Sequence, residues 1–394
     1  MVASFAYIAL AIVVFLALLS FLIFFHELGH YSVGRLFGIK VERFSIGFGK
    51  PILKRTANSG TEWTLSRIPL GGYVKFAGDA GAASNPDAAA LEDLRAERGD
   101  VSDIFHFKPV WQRALVVLAG PVFNFILAAF LFGLAFFWAG KSIVAPVIGI
   151  VQDGTPAAAA GLQPGDRVLE MNGKDIATWQ EMVQQIALSA DTPIDVVVER
   201  DSREVALTVT PMRRDDRDFI GGKITKGYFG VGLDEDQAIT TQRYGPIEAL
   251  GEGAAEVGNA LGATGRYIGR IFAGREDGKQ LGSILRIGMM TGKSTTDIAQ
   301  LEIPVGERVR ALLLRLLMLG AGISVALGFA NLLPIPMLDG GHLLFYGYEA
   351  VAGKPMPMAY QEVGFRVGMA ILLGLFVVLT INDIGYIGSI FQQG

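Results

Sequence analysis

The chain of 394 residues contains no cysteine. That excludes disulfides and thiolate metal ligands, and leaves any bound metal to histidine, carboxylate or water. Histidine is scarce as well: His26, His30, His106 and His342 are the full set. Charged residues make up only 18%, and the net charge of −4 gives no case for a nucleic-acid partner. No Asp, Glu, Lys or Arg occurs in residues 1–25. Apolar residues reach 51%. That is too many for an ordinary soluble enzyme, yet the pattern is too mixed for a chain lying wholly in lipid. A membrane protein with a soluble insert is expected.

Four uncharged stretches are candidate spans: residues 5–25, 114–140, 316–333 and 367–382. The last is short for a hydrocarbon core of about 30 Å, so it is expected to borrow flanking residues. A cleaved signal peptide is a rival for the first run. It lacks a basic start, and cleavage would discard the histidine pair directly after it, so retention is expected. Arg35, Lys40, Arg43, Lys50, Lys54, Arg55, Arg67 and Lys75 crowd the loop after the first span. The positive-inside rule puts that loop in the cytoplasm and both termini outside. Residues 141–308 then lie outside and 334–366 inside.

The first run ends on His26-Glu27-Leu28-Gly29-His30. On a helix, His26 and His30 project from one face and can grip one metal ion, with Glu27 beside them to take a proton from water. A catalytic zinc site commonly has three protein ligands and an open position. The third ligand is sought in Asn331-Leu332-Leu333-Pro334-Ile335-Pro336-Met337-Leu338-Asp339-Gly340-Gly341-His342, on the same expected side. Two prolines break helix there. Asp339 and His342 both remain candidates. His106 reads as an ordinary loop residue.

Between the spans, residues 41–76 read as β structure, with turns at Asn58-Ser59-Gly60 and Gly71-Gly72. They form either a small cytoplasmic hairpin domain or a sheet edge held near the metal. Residues 79–103 read as loop with some helix. Residues 144–234 are the clearest soluble unit. There a Pro164-Gly165-Asp166 turn and an Asn172-Gly173 hairpin precede a helix from about Trp179 to Leu188 and strands at Ile194–Glu199 and Glu204–Thr210. The Gly161-Leu162-Gln163-Pro164-Gly165-Asp166-Arg167-Val168 run resembles a PDZ domain. Tyr228-Phe229-Gly230 resembles its carboxylate-binding loop, placed last as in circularly permuted bacterial forms. Peptide capture and mere size exclusion are both open for it. Residues 246–300 have apolar residues at helical spacing, as in an amphipathic helix on the outer membrane surface.

Taken together, the motifs resemble the bacterial site-2 proteases, the RseP-type intramembrane zinc metalloproteases. The matching residues are His26–His30, the Asn331–Gly340 run, Gly120-Pro121-Val122-Phe123-Asn124-Phe125 and the PDZ insert. RseP-type members with two tandem PDZ domains differ from this chain, which looks like the shorter single-PDZ form. The resemblance implies a polytopic α-helical membrane protein with four transmembrane helices, a cytoplasmic membrane-associated β segment and an inserted periplasmic PDZ domain. Its segments would be 1–38, 39–110, 111–140, 141–235, 236–308, 309–345 and 346–394, in the order first span, β loop, second span, PDZ, amphipathic linker, third span and fourth span.

The resemblance also implies one catalytic zinc ion on His26, His30 and Asp339, with Glu27 as general base. Asn331, Pro334 and Asn124 would touch substrate, and Tyr228, Phe229 and Gly230 a peptide end. For Asn124, helix packing through Gly120 is an equal alternative. The implied activity is cleavage of transmembrane segments of single-span proteins, such as anti-sigma factors or signal-peptide remnants. It would occur in the bacterial inner membrane, after a site-1-type protease has removed the outer domain. Alternatives are a PDZ scaffold with an inactive metal site and a membrane zinc peptidase acting on soluble substrates.

Overall fold

A computed structural model describes residues 2–79, 81, 95–96, 100–217, 223–234, 239–275, 278, 282 and 284–391. Most of the expected loop at 79–103 lies outside them. The main helices are α1 (Val2–Leu36), α2 (Val110–Ala139), α3 (Trp179–Ala187), α4 (Pro246–Phe272), α5 (Ile284–Ala299), α6 (Val305–Asn331), α7 (Asp339–Ala352) and α8 (Met358–Phe391). The chain divides into two compact units. One comprises Met1–Ala135, Ala249–Leu261 and Ile284–Val378; the other comprises Phe136–Glu248, Gly262–Ser283 and Leu379–Gly394.

Among the described residues, four helices are long and apolar enough to cross a membrane: Leu10–Leu36, Val110–Ala139, Val305–Asn331 and Met358–Gly385. The third and fourth start well before the expected 316 and 367. Runs free of charge understate these spans, because helix ends carry arginines such as Arg308, Arg310 and Arg366 without interrupting the backbone. The fourth span is therefore not short. Helices of this number and apolarity fit a multi-pass membrane protein.

In the first unit, Leu22, Ile23, His26, Glu27 and His30 share the buried face of α1 at three- and four-residue spacing. The two long strands β1 (Val41–Thr56) and β2 (Glu62–Phe76) pack against it. Both bend. Arg43–Ile46 pair on one side with Gly72–Lys75 and on the other with Glu62–Leu65, while Pro51–Thr56 pair with Glu62–Ser66. Two strands thus supply four ribs. The Asn58-Ser59-Gly60 turn is present, closed by Ala57 N–H to the Thr61 carbonyl at 2.9 Å. The turn expected at Gly71-Gly72 is instead part of a continuous β2. Phe44 stacks on Trp63 with centroids 4.3 Å apart, and Tyr31 of α1 meets that indole edge-on. Aromatic pairs of this kind fix the sheet to the helix that carries the histidines. Helix α5 packs alongside α1, where a Cβ on Gly292 would lie 3.2 Å from Ala11.

In the second unit, a four-stranded sheet (174–175, 167–171, 194–200, 203–209) backs onto α3, with Met171, Met182, Ile186, Val196, Val198 and Phe229 in the core. Asn172 and Gly173 both have positive φ, the backbone that a two-residue hairpin requires. Asp166 is 1% exposed and takes two hydrogen bonds of 2.7 Å from Arg200, so its buried charge is paired.

Candidate active site

Three elements converge on a cavity of about 390 Å³ in the first unit. Helix α1 supplies His26, Glu27 and His30, β2 supplies Gly71–Val74, and the start of α7 supplies Asp339. Helices α1 and α2 cross nearly backbone to backbone. A Cβ on Gly29 would lie 2.4 Å from the Ala119 carbonyl oxygen, and one on Gly120 would lie 2.3 Å from His30 Nε2 and 2.8 Å from His26 Cε1. Gly120 therefore forms the floor beneath both imidazoles. From the same helix, the Val116 carbonyl accepts the His30 Nδ1–H at 2.9 Å.

Asp339 comes to the site through a bent segment. Helix α6 stops at Asn331, two prolines follow, and Met337 holds φ +98, a conformation that costs energy for a side chain with a Cβ. Asp339 then opens α7, where the helix dipole favours a negative charge. Burial opposes its ionisation, but the neighbouring His30 and His26 bring its carboxyl below the ordinary carboxylate range.

The donor atoms are spaced for one ion. His26 Nε2 is 3.3 Å from His30 Nε2 and 3.3 Å from Asp339 Oδ2, and His30 Nε2 is 3.6 Å from Asp339 Oδ1. Donors about 2.0–2.1 Å from a tetrahedral zinc ion lie about 3.3 Å from each other. Asp339 Oδ2 is buried and has no hydrogen-bond partner among the described residues. Lone pairs and a carboxylate oxygen turned on one point are repulsive unless a cation joins them. The residues therefore fit zinc. His342, the other candidate ligand, lines the cavity but lies outside the three-residue group, packed near Phe345, Tyr346 and Phe365. His106 is 2.7 Å from the buried carboxylate of Asp79, and burial pushes that carboxyl up despite the hydrogen bond from His106.

Glu27 is 8% exposed and faces the strand. Val74 lines the same cavity, and a Cβ on Gly72 would lie 3.0 Å from the Glu27 Cγ. Sequence reasoning missed Gly72 and Val74 as neighbours of the acid. A glycine pair inside an otherwise apolar strand is the available signal, since it marks close approach of another backbone or side chain.

Asn331 lines the cavity, with Nδ2 3.3 Å from His26 Nε2. Pro334 is exposed in the turn after α6 and does not line it. Asn124 is fully buried on α2, with Nδ2 3.1 Å from His26 Nδ1, and is absent from the cavity lining. In the second unit, the Tyr228 hydroxyl donates to Gln152 Oε1 at 2.7 Å, under the Arg214 guanidinium. The Phe229 ring is core, and Gly230 has φ +89.

The profile of peptidase family M50 matches residues 14–375. The metalloprotease MmpA of Caulobacter vibrioides is 40% identical over 389 residues, 95% of this chain and 97% of that protein. A protein of Agrobacterium fabrum named as a zinc metalloprotease is 40% identical over 374 residues, 95% of each chain. Another so named, from Rhizobium meliloti, is 39% identical over 375 residues, 95% of this chain and 96% of its own length. The chain belongs to peptidase family M50, the site-2 protease family, and is a zinc metalloendopeptidase.

Proposed function

We propose that this zinc metalloendopeptidase cuts transmembrane segments of single-span proteins within the bacterial inner membrane. The observation that carries the reading is the place of the donor cluster. His26, Glu27 and His30 sit inside a helix long enough to span a bilayer, beside Asp339 and a strand edge. Ionisable groups at such depth are costly and are kept for function.

His26, His30 and Asp339 would hold zinc, which when bound acidifies water and polarises a carbonyl. Glu27 takes the water proton and returns it to the leaving amine. A substrate helix hides its carbonyls in its own hydrogen bonds, so it must unwind before attack. Among the described residues, the ladder partners of Gly72–Phe76 lie in Val41–Ile46. The other edge of Gly71–Val74 borders the cavity and suits an unwound strand that adds to it. Asn331, at the same cavity, is placed to bind the substrate backbone.

Localisation and order of action belong to the same reading. The basic loop after α1 favours cytoplasmic placement of the β segment and active site, with periplasmic termini. The four-stranded unit, with its Gly161–Val168 run, supports a periplasmic PDZ domain that either captures C-termini or excludes bulky ectodomains. Size exclusion would make the cut follow that of a site-1-type protease, as in regulated intramembrane proteolysis of anti-sigma factors or removal of signal-peptide remnants. An inactive scaffold is disfavoured by the complete donor set.

The test is cleavage, in membranes, of a tagged single-span substrate lacking its outer domain. Wild type should cleave, and Glu27→Gln and Asp339→Ala should not. Equal processing by all three, each properly inserted, would overturn the reading.

A further inference from the structure

The zinc-facing geometry of His26 and His30 leaves each imidazole with one nitrogen to be fixed from behind. Their Nε2 atoms point at each other and at Asp339, so Nε2 is the donor end of both rings. A neutral imidazole that gives its Nε2 lone pair to a metal carries its proton on Nδ1. For His30 that proton goes to the Val116 carbonyl, which can only accept. For His26 the neighbour at Nδ1 is the amide of Asn124, 3.1 Å away and two helical turns along α2 from Val116.

The amide is held firmly. Its residue is fully buried, the Asn124 main-chain carbonyl accepts from Ser324 Oγ at 2.8 Å, and a Cβ on Gly328 would lie 3.2 Å from Asn124 Cβ. The oxygen and nitrogen of an amide exchange places by a half-turn that moves no heavy-atom position. With the nitrogen set toward His26, the buried amide oxygen has no hydrogen-bond partner among the described residues. The imidazole therefore decides: a proton on Nδ1 requires the amide oxygen.

We propose that Asn124 is a positioning residue of the zinc site, its side-chain oxygen accepting the Nδ1–H of His26 and thereby aiming Nε2 at the metal. Substrate contact is not its role, since the side chain is sealed off from the cavity that Asn331 lines. The proposal rests on His26 being a zinc ligand.

The full-length protein in detergent, titrated with zinc against a chromophoric chelator, tests it. The variants are Asn124→Leu, which keeps the branched shape without an acceptor, Asn124→Asp, which restores one, and His26→Ala as control. Loss of a partner behind a metal-bound histidine commonly costs about 10–100-fold in metal affinity. We expect that loss for Asn124→Leu, recovery to within a few-fold for Asn124→Asp, and a cobalt(II) absorption spectrum altered only in the Leu variant of the two. Melting of the metal-free proteins separates folding from binding. Wild-type zinc affinity and cobalt spectrum in Asn124→Leu would overturn the proposal, as would an Asp variant as weak as the Leu variant. If His26→Ala leaves zinc affinity unchanged, the ligand assignment itself fails.

Discussion

At Gly120 there is no room for even one methyl group. It would meet His30 Nε2 at 2.3 Å, and the His30 ring cannot retreat without losing its 2.9 Å bond to Val116. Gly120→Ala is therefore expected to lower zinc affinity by about tenfold or more, the low end of what disturbing the support of a metal-bound histidine costs, while leaving the protein inserted, as read by metal analysis of purified protein at limiting zinc. Glu27→Gln is a different case. It keeps shape and removes only the proton acceptor, so zinc content should stay at wild-type level. Cleavage should fall by about 10²–10⁴-fold, the usual contribution of a general base. Parallel loss of zinc and activity in the Gln variant would show that Glu27 supports the metal rather than the proton transfer. The His pair and its acid were legible in sequence, because a four-residue helical spacing fixes their common face. Gly72 and Val74, the strand neighbours of Glu27, were not, because only the pairing of β2 with β1 brings residues so distant to the acid.

At the level of elements, α7 is tied to α2 at its far end as well as aimed by its start. Arg113 Nη2 donates to Glu349 Oε1 at 2.6 Å, and its guanidinium lies 5.0 Å from the Tyr346 ring centroid. Both partners are largely buried. Removing one member of such a pair strands the other charge and costs about 3–5 kcal/mol. Arg113→Ala should lower the melting temperature of the detergent-solubilised protein and reduce cleavage, with partial recovery in Arg113→Lys. Unchanged melting in the Ala variant would mean that water already screens the pair. Uncharged runs mark the four membrane-length helices but start after the third and fourth helices do, because helix ends carry charge. A glycine pair is usually a turn, whereas here Gly72 lets β2 pass close to Ile23 and Glu27 of α1.

For the molecule as a whole, the absence of cysteine is an experimental opening. Single cysteines at Ser59 and Ala206, both exposed, would report the sides of the membrane on which they lie. The proposed topology gives labelling of Ser59→Cys by an impermeant maleimide only from the cytoplasmic side, and of Ala206→Cys only from the periplasmic side. Labelling of both from one side would refute it. Zinc removal is the second test at this scale. A strong chelator should abolish cleavage and added zinc should restore it; activity that survives full metal depletion would contradict metal-dependent hydrolysis.

By itself the sequence determined whatever depends on local spacing: two imidazoles and an acid on one helical face, four long apolar helices, and a strand-rich insert with a two-residue hairpin at Asn172-Gly173. It also bounded the metal ligands, since without cysteine few donor types remain. Tertiary structure decided what needs segments hundreds of residues apart. It separated Asp339 from His342 as partners of the histidines, because helix start and ring packing aim the first inward and seat the second among aromatic rings. It also set Asn124 of α2 at Nδ1 of His26 and Asn331 of α6 at its Nε2, two identical side chains whose difference lies in the helices that carry them to opposite sides of one ring.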